Sequence, residues 1–553
     1  MDIQRVILLG ALGLISYMLV LQWNADYNTP VAAQQTQTES VSAYQPAEGN
    51  DLPSAAPAVE ADLPSTGTAT STLAAATGDL VSVTTDKFGI LIDPRGGDII
   101  EVKLLDHKAT LEGEDPLVLL EQNANRTYVA QSGLVGPNGP DASKEGRPLY
   151  SVAETNYEMG SSDTLAVDLN LIDNGVAITK RYTFTRESNA IAMDYLIANN
   201  SDSNWQATLF GQLKRDRSAD PSETTDMGMQ SYLGPVFSTQ ENNYNKVSFD
   251  DIDDDGRYSE KSQDGWVAMI QHYFMSAWIP NPGQEYTYQA RQLNGNYIAG
   301  FLAPSAVVAP GQTGQISATL YAGPKDTDQL EKIAPNLDLT IDFGILFFIA
   351  SPIYMVLKWL YSIVGNYGLA IICVTILVKA ALFHLNAKAF KSMAKMRKFG
   401  PEMARLKELY GDDRQKMSQE MMKLYSKEKI NPLGGCLPIV AQMPIFIALY
   451  WVLMEAVEIR HAPFIGYIQD LSQMDPYFIM PILMGVTMFI QQLLNPTPPD
   501  PMQAKIMKML PIIFTFFFLW FPAGLVLYWL VNNVLSIAQQ YVINKQIEAG
   551  DSK

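Results

Sequence analysis

The chain is 553 residues long and has only two cysteines and four histidines. Two cysteines exclude a disulfide scaffold. Both of them, Cys373 and Cys436, lie in apolar stretches. The acidic region N-terminal to them has none, so it suits an oxidising compartment. His107 and His272 have no neighbours at metal-ligand spacing, and no other cluster reads as a metal site. There is no G-x-S-x-G turn and no G-x-x-x-x-G-K-[ST] loop, so neither a serine-hydrolase elbow nor a phosphate-binding loop is legible. Positive charge is also short. Lys and Arg number 39 against 58 Asp and Glu, a net charge of −19. That balance excludes a protein that grips DNA through an overall basic surface. Long-range disorder is excluded too, because 47% of the residues are hydrophobic.

The residues that are present divide into two populations. Positions 24–343 carry 19 basic and 44 acidic residues, net −25, and positions 344–553 carry 19 and 13, net +6. The chain starts with an apolar run, VILLGALGLISYMLVLQW (6–23), long enough to span a bilayer. A cleaved signal peptide is the alternative, with Val31-Ala32-Ala33 as its site. That site lies about ten residues past the run, so 1–23 is read as an uncleaved anchor. Residues 24–78 are rich in Ala, Thr, Ser, Pro and Gln, and no Lys or Arg occurs between Arg5 and Lys87. This is a flexible acidic tether, expected outside the cytoplasm.

Residues 79–342 alternate strands with turns. LAVDLNL (165–171) and VAITKRYTF (176–184) flank Asp173-Asn174-Gly175, a strong hairpin signal. GILI (89–92), IAMDYLI (191–197), GWVAMI (265–270) and SATLYAG (317–323) are further strands, and together they predict one large antiparallel sandwich. DIDDDG (251–256) imitates the start of a calcium loop. Its twelfth position is Ser262 rather than Glu, so a solvated acidic turn is expected.

The last 210 residues predict five membrane spans: 366–385, 433–456, 477–494, 505–520 and 522–543. Phe521-Pro522-Ala523-Gly524 separates the last two. The segment 386–431 has twelve Lys/Arg and six Asp/Glu, so it is expected in the cytoplasm. One crossing, at 366–385, suffices to separate it from the acidic domain. The apolar stretch 343–364 is therefore read as an amphipathic helix on the outer surface. Residues 546–553 form a short cytoplasmic tail. The basic segment predicts a helical hairpin. Met393, Met396, Phe399, Met403, Leu406 and Leu409 line its first arm, kinked at Gly400-Pro401. Gly411-Asp412-Asp413 makes the turn, and Met417, Met421 and Leu424 continue on the second arm. This stripe zips the arms together, or offers adaptable side chains to a partner or nascent chain.

Lys379 carries most of the mechanistic weight. It lies six residues from the inner end of its span, ~9 Å deep at ~1.5 Å per residue. A bare ammonium costs ~3 kcal/mol or more at the bilayer centre. It either snorkels to the headgroups or sits in a wet cavity with Thr375, Gln442, Gln491, Gln492, Asn532, Asn533 and Ser536. A groove with a positive centre attracts acidic, hydrophilic peptide.

Two long strings, NPLGGCLPIVAQMPIFIALYWVL (431–453) and DPMQAKIMKMLPIIFTFFFLWFPAGLVLYWLVNN (500–533), resemble the third and the last two helices of the YidC/Oxa family of membrane protein insertases. SMAKMR (392–397) is similar to the start of the family's cytoplasmic hairpin, and DGWVAMIQHYFMSAWIP (264–280) to its periplasmic domain. The resemblance covers nearly the whole chain. It implies a multi-pass α-helical membrane protein of the bacterial inner membrane, with its N-terminus cytoplasmic. An N-terminal anchor would precede a five-helix core within 365–545, a large periplasmic all-β supersandwich and a cytoplasmic hairpin. The implied function is an insertase and folding chaperone without catalytic residues, metal or cofactor. Implied partners are nascent membrane proteins, the Sec translocon, the ribosome with the signal-recognition targeting machinery, and membrane lipids. The implied groove residues are Lys379, Thr375, Gln442, Tyr528 and Trp529, and the implied apolar slide is Met443, Phe446 and Phe517. Two positions depart from the family. Lys379 stands where the groove charge is usually Arg, and Tyr528-Trp529 where a Tyr pair is usual. Two rival readings are a membrane-anchored periplasmic carbohydrate-binding or epimerase-like protein and a secondary transporter. No acid/base pair is evident for the first and no inverted repeat for the second.

Overall fold

A computed structural model describes residues 80–143, 146–222, 231–410, 413–428, 437–495 and 501–550. The expected anchor (1–23) and tether (24–78), the turn residues Gly411 and Asp412, Cys436 and positions 551–553 lie outside them.

Residues 81–324 form two sheets, one of eleven strands and one of nine. The turn chemistry sets the local register. Strands Thr164–Asp173 and Val176–Thr185 pair antiparallel, and Asn174 and Gly175 take φ of 49° and 82° between them. Both central residues of such a turn need positive φ, which Asn and Gly tolerate best. The inner faces of both sheets meet in one core that includes Phe184, Ile191, Leu209, Trp278 and Tyr288. Strand Trp266–Ile270 is buried throughout. Val267 and Met269 face the sandwich core, whereas Trp266, Ala268 and Ile270 meet a second cluster with Leu330, Ala334 and Leu337. A strand covered on both faces reads as a continuous apolar run.

The acidic stretch at 251–256 differs from the expected turn. It belongs to a short helix, α1 (Phe249–Asp255), which Ser248 caps by a reciprocal capping box with Asp251. Arg217 binds Asp250 at 2.9 Å and Asp253 at 2.6 Å. An arginine thus takes the place of a cation, and the capping box supplies the helical nucleus.

The C-terminal part is helical. Its elements are α2 (Thr327–Ile333), α3 (Phe347–Val364), α4 (Tyr367–Ala381), α5 (Phe383–Lys398), α6 (Gly400–Tyr410), α7 (Arg414–Lys427), α8 (Leu437–Glu455), α9 (Ile479–Leu494), α10 (Pro501–Phe517) and α11 (Ala523–Gly550). The run 366–385 is not one straight helix. It breaks at Leu382, where α4 and α5 meet at 67°. No Pro or Gly announces that bend. The first arm of the hairpin is α5 plus α6, interrupted at Phe399 beside Gly400-Pro401. Tyr425 of α7 donates to Met403 Sδ of α6 at 3.5 Å, so at this point the stripe joins the two arms. Among the described residues, the helix long and apolar enough by itself to cross a membrane is Gly344–Val364. That is the segment expected to lie on the surface. α9 and α10 approach closely: a Cβ at Gly485 would fall 1.9 Å from Thr515 Oγ1.

The two halves are joined by a buried junction. Lys325 Nζ meets Glu455 Oε2 at 2.6 Å, with both side chains under 5% exposed. Ser231 Oγ donates to the other carboxylate oxygen at 3.0 Å. His272 Nε2 donates to the Met454 carbonyl at 2.8 Å, and burial holds this imidazole below its usual pKa. Arg460 donates to the carbonyls of Lys108 and Ala109, both at 2.9 Å. Val457 enters the sandwich core itself. The end of α8 is therefore built into the β domain.

Candidate functional site

Lys379 lies in the last turn of α4, where the helix carbonyls favour a cation. It is 9% exposed. Its ammonium donates to Ser536 Oγ of α11 at 2.7 Å and to Gln442 Oε1 of α8 at 3.4 Å. Among the described residues no carboxylate pairs with it. Gln442 Nε2 continues the network to Tyr528 OH at 3.2 Å and to Asn532 Oδ1. Ser536 Oγ in turn donates to the Asn532 carbonyl at 2.7 Å. Neutral oxygens hold the charge without cancelling it. A buried charge is normally paired, so this arrangement leaves a net positive field inside the helix bundle.

The expected residues do not all converge. Lys379, Gln442 and Tyr528 share one network. Thr375 is buried, but its hydroxyl donates to the Ile371 carbonyl of its own helix at 2.7 Å. It lines the bundle and makes no bond to the ammonium. Trp529 lies beside Tyr528 in an aromatic cluster with Phe446, Phe514 and Phe518. Its indole N–H is buried and has no acceptor. Met443 and Phe517 are exposed by 42% and 46%. Phe446 is half-buried. It stands edge-on to Trp529, with ring centroids 4.7 Å apart. Asn533 donates to Thr487 at 3.3 Å, and Gln492 receives Asn495, so these two brace α9.

One pattern was missed in the sequence. On α11, Tyr528, Asn532, Ser536, Gln540 and Asn544 recur every four residues. Each step of four turns the face by ~40°. The polar stripe therefore winds around the helix, and its partners change accordingly. Tyr528 and Asn532 meet α8, Ser536 meets α4, and Gln540 reaches the Leu494 carbonyl and Asn495 at the end of α9. The four-residue spacing was visible, but hydropathy averaged over the helix hides it. Glu455 was missed as well. A single acid closing an apolar run was its signal.

A bundle of apolar helices with a hydrophilic interior stripe and a buried lysine, joined to one large β domain, defines a class of helical membrane proteins with a large extramembrane β domain. Residues 80–356 match the YidC periplasmic domain and residues 359–550 the 60Kd inner membrane protein family. The membrane protein insertase YidC of Marinobacter nauticus is 51% identical over 99% of this chain and 99% of its own. That of a Marinomonas species is 53% identical over 99% and 100%. A crystal structure of an active YidC insertase with its first transmembrane domain resolved covers 84% of this chain and 93% of its own, at 19% identity and a TM-score of 0.38. The chain belongs to the YidC family of membrane protein insertases.

Proposed function

We propose that this protein is a membrane protein insertase and folding chaperone of the bacterial inner membrane, and that its groove works through the field of Lys379. The relatives are insertases over their full length, which favours this non-enzymatic reading over a carbohydrate-binding or transporter role. One observation carries the mechanism: a buried ammonium held by two neutral oxygens and, among the described residues, paired with no acid. The hydrophilic outer segment of a nascent chain enters beside Lys379. There it escapes part of the cost, several kcal/mol for each unsatisfied polar group, of crossing hydrocarbon. Its apolar helix leaves along Met443 and Phe517 into lipid. The membrane potential draws acidic segments outward by ~2.3 kcal/mol per charge per 100 mV.

The proposed topology has the N-terminal anchor and five core crossings, with the β domain periplasmic, the hairpin cytoplasmic and α3 flat on the outer surface. Two contacts support that placement of α3. Asp342, just before it, pairs with Lys246 of the β domain. Lys358, sixteen residues on, pairs with Asp328 at 2.7 Å and Asp326 at 3.3 Å. Lys358 lies about three turns into α3 and Asp342 precedes its start, yet both touch the β-domain side. The exposed Phe347, Phe348, Met355, Trp359 and Ile363 form a lipid-seeking face. The basic hairpin meets the ribosome and targeting machinery, and the protein works alone or beside the Sec translocon.

The test is insertion of a short, single-spanning, acidic-tailed substrate into liposomes by wild type, Lys379→Arg and Lys379→Ala. Retention by Arg and loss of at least tenfold in Ala are expected. Equal insertion by Ala would make Lys379 a snorkelling anchor. No insertion by the wild type alone would make a partner obligatory or the reading wrong.

A further inference from the structure

The hairpin end of the polar stripe is unlike the Lys379 end. Asn386 of α5 is 1% exposed, and neither its Nδ2 nor its Oδ1 has a hydrogen-bond partner. Gln540, also 1% exposed, donates through Nε2 but leaves Oε1 without a partner. Asn544 Oδ1 is buried and unpartnered as well. Four buried polar atoms on two packed helices thus lack internal bonds. Each such atom costs ~1–3 kcal/mol, and native structures keep few of them. The helix that carries Asn386 starts at the 67° break and is held to α11 by Gln539 Nε2, which donates to the Phe383 carbonyl at 3.2 Å. Asn386 lies one turn further along.

The chemistry of these groups is specific. All are carboxamides. A carboxamide offers both an N–H donor and a C=O acceptor, with no charge. Those are the two groups of a peptide bond. A carboxamide therefore bonds an extended main chain whatever its side chains, whereas an ammonium discriminates by charge. We infer that Asn386, Gln540 and Asn544 form a second, uncharged station of the groove that binds the main chain of the substrate's hydrophilic segment. This rests on the insertase reading above and divides its labour: Lys379 selects for acidic segments, and the carboxamide station holds backbone irrespective of sequence. Access comes from α5 swinging at Leu382 and releasing the Gln539–Phe383 bond.

The experiment uses the full chain in liposomes and two substrates that differ only in their outer tail, one with two Asp and one with Asn in their place. Asn386→Leu/Gln540→Leu is expected to lower insertion of both substrates alike, by about fivefold or more, while Asn386→Gln keeps at least half. Lys379→Ala lowers the Asp substrate more than the Asn one. A photoreactive side chain at position 386 crosslinks to the tail of an arrested substrate. Unchanged insertion of both substrates by the double variant, with wild type active, overturns the station and leaves the insertase reading standing. So does a lower thermal midpoint of Asn386→Leu alone, because it would mean that this carboxamide had internal partners. An effect confined to the Asp tail overturns it too, by making the station part of charge selection. A wild type inactive on both substrates removes the insertase reading, and the station with it.

Discussion

Lys180 in the β sandwich and Lys379 in the helix bundle are both buried lysines, 0% and 9% exposed. Lys180 donates to three carbonyls, those of Gly96, Gly97 and Ser132, at 2.8–3.1 Å. Close by, Arg147 pairs with Asp98 and, at 2.9 Å, with Asp141. Lys325 at the junction follows the same rule, with Glu455 as its acid. In the sandwich and at the junction, each of these cations has backbone acceptors or a carboxylate. The helix bundle gives Lys379 two neutral side-chain oxygens. A buried cation with a carboxylate or a set of carbonyls holds the fold, whereas one held by neutral side chains keeps its field.

Four predictions sharpen or break that contrast. Lys325→Met should have the largest effect, because it strands the buried carboxylate of Glu455; breaking a buried pair costs roughly 3–5 kcal/mol. Chemical denaturation of the detergent-solubilised protein measures it, and a loss under about 1 kcal/mol would break the rule at the junction. Lys180→Met should cost about 2 kcal/mol, since three buried carbonyls lose their donor while the burial cost of an ammonium is relieved. Insertion should stay within twofold of wild type. Lys379→Met should do the reverse, leaving stability within ~1 kcal/mol and lowering insertion of an acidic-tailed substrate about tenfold, or ~1.4 kcal/mol. Comparable destabilisation by both Met variants would erase the distinction.

The smallest effect is a pH dependence. Burial pushes Lys180 down to about 7, against the pull of Asp98. Between that value and about 10.5 the unfolded chain keeps a proton that the folded chain has released, so stability should rise with pH across this window. Lys180→Met should lack that rise. Asp93 provides the opposite sign. Burial raises it from 3.8 to about 6, so its contribution is present below 3.8 and is lost as pH climbs through 6. Asp93→Asn should flatten that part of the curve. Unfolding midpoints across about pH 4–10 test both.

Much of the architecture was legible because its signals are local. Asn174-Gly175 dictates a hairpin within four residues, and the break after Phe517 follows from Pro522 a few positions on. Lys379 stood out as a charge in an apolar run. The bend at Leu382 was not legible, since AALFHL (380–385) contains no helix breaker. Nor was the helix at 249–255, in which Asp250 and Asp253 pair with Arg217 from more than thirty residues away.

The sequence by itself determined the division into an acidic β region and a basic, apolar helical region, the turns between neighbouring strands, and the family. These depend on composition, periodicity and turn chemistry, which act over a few residues. Only the tertiary structure decided which buried charges find partners. Lys325 and Glu455 are 130 residues apart in sequence, Lys379 and Ser536 are 157 apart, and Phe446 stands edge-on to the distant Trp529. A side chain's partners are set by where distant elements are brought together on folding, so a buried lysine meets carbonyls or a carboxylate in one place and only neutral side-chain oxygens in another.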